Sequence, residues 1–208
     1  PESSPFPASP ESSPLPASPE SSPLPGVPLS DVAGVLGDKF VNRVSGGAWR
    51  NNMPSAGRPP VQRAAQGDPV VYFPTCGARI FGPANHTDPQ LGDVVQELLI
   101  RAGFRPILPE GFDKLCCGQM LASKGMQQEA EDMSNTLEAA LLKASDNGRI
   151  PVIMDASACT TRMQKHLAGR LKLYDFHEFA HDALLPRLMI TRQPGPIALH
   201  INCSVKRT

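Results

Sequence analysis

No charge of one sign dominates this sequence: Lys and Arg number 20, Asp and Glu also 20, and the formal net charge is zero. A nucleic-acid-binding chain needs a clustered basic excess to displace counterions, so that class is set aside. No apolar run reaches the roughly 18 residues a spanning helix requires. No basic start followed by an apolar stretch marks a secretory signal. Cys-x-x-Cys is absent, and with it both the usual spacing of structural zinc sites and the redox disulfide motif. With no export signal and an odd count of 5 cysteines, a disulfide framework is the weaker reading and free or metal-bound thiols are expected. The chain opens on Pro1 rather than Met, which points to a processed terminus or a piece of something longer.

Proline, by contrast, is abundant. There are 23 prolines in 208 residues, well above the ordinary share of roughly 5%. Many fall in a repeat, Pro-Glu-Ser-Ser-Pro-(Phe/Leu)-Pro, that occupies residues 1–28. Proline at this density removes backbone donors and fixes φ, which excludes helix and sheet, and little apolar surface is left to offset ordering entropy. Residues 1–28 therefore read as a disordered Pro/Ser-rich segment. Residues 29–68 read as a linker, with a short helix from Leu29 to Val44 capped by Ser30 and Asp31 and broken at Ser45-Gly46-Gly47. Trp49, the only tryptophan, is expected to pin this linker to something folded.

From Pro69 the pattern alternates between strand and helix. The expected strands are Val70–Phe73, Phe104–Leu108, Pro151–Asp155, Leu171–Tyr174 and Ile197–Ile201. The expected helices are Leu91–Ala102, closed by Gly103, then Gln127–Ala144, stopped at Asn147-Gly148, Met163–Leu167 and Phe176–Leu185. Such alternation predicts an α/β fold over 69–208: a parallel, Rossmann-like sheet with helices on both faces. Loops after the strand C-termini then converge on one edge, where ligands bind. Cys76, Cys116, Cys117 and Cys159 all fall in such loops, so cysteines far apart in sequence are expected to meet.

Thiolates suit iron–sulfur clusters, zinc and cuprous ions. The paired Cys116-Cys117 cannot easily chelate one small tetrahedral ion, but it can reach different irons of a cluster. Gly118 permits the backbone to bend and approach an inorganic core. The plainer alternative is that buried cysteines act as small apolar residues. Two other readings remain open, a non-redox zinc-thiolate structural or docking module and a degenerate fragment that holds no cofactor.

The arrangement Cys76…Cys116-Cys117-Gly118…Cys159 resembles the cysteine-rich Cys-Cys-Gly domain of heterodisulfide reductase subunits and related respiratory proteins. Tyr72-Phe73-Pro74-Thr75-Cys76, Leu115-Cys116-Cys117-Gly118-Gln119, Ser145–Val152 and His181–Leu188 resemble the C-terminal region of FAD- and iron–sulfur-containing D-lactate dehydrogenases. The resemblance runs from about residue 40 to the end. It implies a [4Fe-4S]-type cluster on Cys76, Cys116, Cys117 and Cys159, with Gly118 and Cys203 as further cofactor-binding positions. Cys203, in His200-Ile201-Asn202-Cys203-Ser204, mirrors the first cysteine word and opens a second copy of the unit, truncated after it. Cys159 is followed by Thr160-Thr161-Arg162 rather than a Cys-x-x-Cys ending, which favours four ligands over a five-thiolate cluster. The implied role is electron relay from an FAD in a missing upstream domain towards a quinone or cytochrome, with flavin and ferredoxin-like domains or subunits as partners. The segment is then not catalytic alone. The implied placement is cytoplasmic, with a peripheral position at the inner face of the membrane as its variant. Loop amides near Gly118 and Thr160 are candidate donors to sulfur. Arg162 is either a counter-charge to the cluster or a surface arginine.

His177-Glu178-Phe179-Ala180-His181 matches His-Glu-x-x-His, which on a helix places two imidazoles on one face as in zinc proteases. No glutamate follows to complete a ligand set, and the expectation is instead that Phe176, Phe179 and Ala180 face the core while His177 faces solvent. His86 sits near Cys76 and reads as either a cluster neighbour or an exposed loop histidine. The methionines read as core filler.

Overall fold

A computed structural model describes residues 56–83, 88–191 and 195–196. The repeat at 1–28, the helix at 29–44, Trp49, His86, the strand expected at 197–201 and Cys203 lie outside the described residues. In chain order the elements are β1 (Asp68–Phe73), α1 (Cys76–Ile80), α2 (Leu91–Arg101), β2 (Phe104–Ile107), a 3-10 turn at Phe112–Lys114, α3 (Gln119–Ala122), α4 (Gln127–Ala144), β3 (Val152–Met154), α5 (Ser157–Leu167), β4 (Leu173–Asp175) and α6 (Phe176–Phe179). After α6 the backbone widens into a π turn at Ala180–Leu184 and tightens into a 3-10 turn at Leu185–Arg187.

The strands are apolar with little alternation because both faces of the sheet are covered. Val71 and Phe73 point to one face, against Leu137 and Leu141 of α4 and Met163 and Leu167 of α5. Val70 and Tyr72 point to the other, against Val95 and Leu99 of α2 and Phe179, Ala183 and Leu184. These side chains are essentially sealed from water, and each large one contributes about 1.5–3 kcal/mol through burial. On the second face Phe179 stacks edge-on against Phe104 and Tyr174, at 5.3 and 5.8 Å between centroids. Arg187 lies over the Phe104 ring at 4.3 Å and donates to the Asp68 carboxylate at 2.9 Å, tying the chain after α6 back to the start of β1.

All strand pairs are parallel, and the order is β2-β1-β3-β4. The chain moves outward from β1 to β2, then crosses back over β1 to β3 and on to β4. The connections after β1 and β3 therefore leave towards opposite faces, which opens a crevice at the carboxyl ends of these two central strands. The α/β sheet with helices on both faces is thus as expected, with four parallel strands among the described residues.

Candidate functional site

β1 and β3 are neighbours, and Phe73 stands opposite Met154 at their carboxyl ends. Cys76 follows β1 and Cys159 follows β3, so strand pairing alone delivers both to the crevice. The paired cysteines enter from the crossover between β2 and β3. Cys117 is 2% exposed and packs with Val71, Phe73, Met154 and Met163, whereas Cys76, Cys116 and Cys159 are half-buried.

The four sulfurs form one row. Hydrogen bonds join Cys76 to Cys116, Cys116 to Cys117, and Cys117 to Cys159. Protons divide unequally along it. Cys116 is held well below the ordinary thiol range, because Cys117 and Cys76 donate to it, the Gly118 N–H donates at 3.4 Å and the Arg79 charge is near. Cys159 is lowered by the hydrogen bond from Cys117, and its place in the first turn of α5 adds the positive end of a helix dipole. Cys76 is raised by its bond to Cys116 and by burial, and Cys117 by its bonds to Cys116 and Cys159 and by burial. In the metal-free row, protons are thus favoured on Cys76 and Cys117 and disfavoured on Cys116 and Cys159.

Four polar side chains hold the segments in place. Asp155, just past β3, accepts from the Thr75 N–H at 3.0 Å and from the Tyr72 hydroxyl at 2.7 Å, fastening the turn that carries Cys76 to the strand that precedes Cys159. Arg79, buried in α1, donates to the carbonyls of Thr75 and Leu115 and so ties the Cys76 turn to the residue before Cys116. Arg162 of α5 donates through Nε to the Cys117 carbonyl at 2.7 Å, and Ser134 of α4 donates to the same oxygen at 3.0 Å.

Gly118 is required here for two reasons. Its φ is +75°, and a Cβ would lie 2.3 Å from the carbonyl oxygen of Ala130. The bend is as expected, and this glycine also makes a close approach to the backbone of α4 that the sequence did not indicate.

Further expectations change. Cys76 is the first residue of α1 and Cys159 lies in the first turn of α5, which begins at Ser157 and not Met163; only Cys116-Cys117 is in a loop. The Thr160 N–H is used within α5, on Ala156, and does not reach sulfur. Gln119 supplies an amide to Cys117 instead. Arg162 is not a surface arginine: its side chain is 15% exposed. The His-Glu-x-x-His word runs from α6 into the π turn at Ala180–Leu184. His177 and His181 are 84% and 81% exposed, each on a neighbouring aspartate, Asp175 and Asp182. Phe179 is buried and Phe176 and Ala180 pack beside it, as expected.

The donor set suits a thiolate-held cluster: four sulfurs from three chain segments, with amides of Gly118 and Gln119 on two of them. It offers no ready-made cage for a single ion. Among the described residues no three or more of His, Cys, Asp and Glu are grouped to hold one metal. No helix among them is long and apolar enough to cross a membrane.

Residues 70–164 match the family model described as a cysteine-rich domain, CCG. No curated protein and no solved structure matches the chain.

Proposed function

Because residues 70–164 are a cysteine-rich domain of the Cys-Cys-Gly, heterodisulfide reductase type, we propose that this chain is an iron–sulfur electron-transfer module. The observation that carries the reading is the row Cys76–Cys116–Cys117–Cys159 at the carboxyl edge of the central strands. All four ligands of a [4Fe-4S]-type cluster are thiolates in most such sites, and the row supplies four. A bound cluster would supply one-electron transfer. The protein's own part is to gather the sulfurs, to exclude water on the Cys117 side and to aim the Gly118 and Gln119 amides at sulfur, which sets the potential. The cysteines must be deprotonated to ligate, so loading the row releases protons.

The finer reading is that the module relays electrons from a flavin-bearing domain or subunit, in a D-lactate-type 2-hydroxy-acid dehydrogenase, towards a quinone or cytochrome. It is supported by the sequence words around Cys76, Cys116-Cys117-Gly118, 145–152 and 181–188. Cys203 is a further ligand candidate in that reading. Anaerobic reconstitution with iron and sulfide tests the proposal. The expected product is brown, with broad visible absorbance, inorganic sulfide and iron lost together in a C116S/C117S variant. A colourless protein that takes up zinc stoichiometrically under the same conditions would replace electron relay with a structural thiolate module.

A further inference from the structure

Helical spacing sets Ala158, Thr161, Arg162, Lys165 and His166 on a single stripe of α5. That stripe, with Glu131 of α4 and Gln119 at the start of α3, walls a groove of about 450 Å³. The groove flanks the thiol row without containing it, since Ala158 precedes Cys159 and Gln119 lies two residues beyond Cys117. Its walls are mostly polar and include two cations, Arg162 and Lys165, and one acid. Glu131, the one acid, is already engaged, 3.0 Å from His166 Nδ1 and 3.8 Å from Arg162. His166 Nε2 faces Glu138 at 3.0 Å, and Glu138 also pairs with Arg170. Among the described residues no hydrogen bond or ion pair engages the side chains of Lys165, Thr161 or Gln119. A cation, a hydroxyl and an amide thus face one cavity without partners among the described residues, beside the guanidinium of Arg162. Cations in the last turn of α5 complement its dipole, but that accounts neither for the cavity nor for the neutral donors.

We propose that this groove binds a small oxyanion-bearing molecule, a carboxylate or a phosphate ester, on Lys165 and Arg162 with Thr161 and Gln119 as neutral donors. Its volume suits a small metabolite rather than a bare ion. Because Arg162 also holds the Cys117 carbonyl, an occupant would touch the thiol row through one residue. The site needs no iron, so its test is separate from that of the redox reading.

The test is calorimetric titration of the metal-free full chain with inorganic phosphate and, separately, with succinate. Saturable binding of one or both is expected, with the stronger of the two giving the ligand's acidic group. K165E should weaken it roughly tenfold or more, T161V should weaken it by less, and both should keep the wild-type unfolding midpoint. K172E, which reverses an exposed lysine outside the groove, should bind as the wild type does. The proposal is overturned if neither anion saturates at millimolar concentration, if K165E binds unchanged, or if K172E weakens binding as much as K165E.

Discussion

Arg162 Nε donates to the carbonyl oxygen of Cys117 at 2.7 Å, and so a residue of α5 fixes the backbone of the paired cysteines from across the crevice. Ser134 Oγ also reaches this oxygen, at 3.0 Å from α4, sharing its one proton with the Ala130 carbonyl at 2.9 Å, and it accepts from Arg162 Nε at 3.2 Å. A carbonyl accepts two bonds, so either donor alone can still satisfy it. R162M or S134A should each destabilise the metal-free protein by about 1 kcal/mol, whereas the double variant leaves a buried carbonyl unpaired and should cost about 1–3 kcal/mol more than either. A urea-denaturation double-mutant cycle reads this as a coupling above about 0.5 kcal/mol. Strict additivity would mean that the two side chains neither share the oxygen nor bond each other.

Gly118 and Gly111 both adopt left-handed backbone, at φ +75° and +67°, but only Gly118 is crowded. A Cβ at Gly111 meets nothing within 4 Å, whereas one at Gly118 runs into the backbone of Ala130 at 2.3 to 3.0 Å. G111A should therefore cost only the conformational penalty, about 1 kcal/mol. G118A should add overpacking against a helix that cannot yield, for a total of about 3 kcal/mol or more. Equal midpoints for the two variants in thermal unfolding would show that α4 does move.

The sheet was legible from Val70–Phe73 and its successors because strands buried on both faces are short apolar runs with turn residues between them. The helix at 127–144 was legible to the residue, since its apolar period is long and Asp146, Asn147 and Gly148 all take positive φ where it stops. The early start of α5 was not, because its N-cap is Ala156, which has no capping side chain, and no apolar stripe precedes Met163. Of the site, the cysteines announced themselves by type and pairing. Asp155, Arg79, Ser134 and the bond from Arg162 did not. Their roles depend on which backbone groups the fold leaves at the crevice, and no local pattern in the sequence encodes that. Gly118 was legible as a bend but not as a packing contact, since its neighbour Ala130 is brought there only by the tertiary fold.

Asp155 is where the two central strands are joined at the site, through Tyr72 and the Thr75 amide. Tyr72 is raised far above the ordinary phenol range by burial and by the adjacent Asp155 charge, so it stays a donor. Y72F removes one of the two bonds and should cost about 1–2 kcal/mol with little effect on metal uptake. D155A frees the Thr75 amide as well and loosens the turn carrying Cys76, so it should lower iron incorporation on reconstitution more than its effect on stability would suggest. If D155A and Y72F incorporate iron equally at matched stability, Asp155 has no positioning role.

The thiol row makes a prediction about pH that needs no metal. Cys116 and Cys159 are depressed in the folded state, so below the ordinary thiol value of about 8.5 the unfolded chain binds more protons than the native one and stability rises with pH. Cys76 and Cys117 are raised. Above about 8.5 the unfolded chain has released protons that the native row retains, so stability falls as pH rises, and Tyr72 continues the fall once free phenols ionise. The urea midpoint of the reduced, metal-free protein should therefore pass through a maximum near the ordinary thiol value. Replacing Cys116 and Cys159 by serine removes the rising limb, and the falling limb weakens with it, because Cys76 and Cys117 owe part of their elevation to those two partners. A midpoint that declines steadily from neutral pH upward in the unaltered protein would mean that the sulfurs do not share protons, and the row would then be four independent buried thiols.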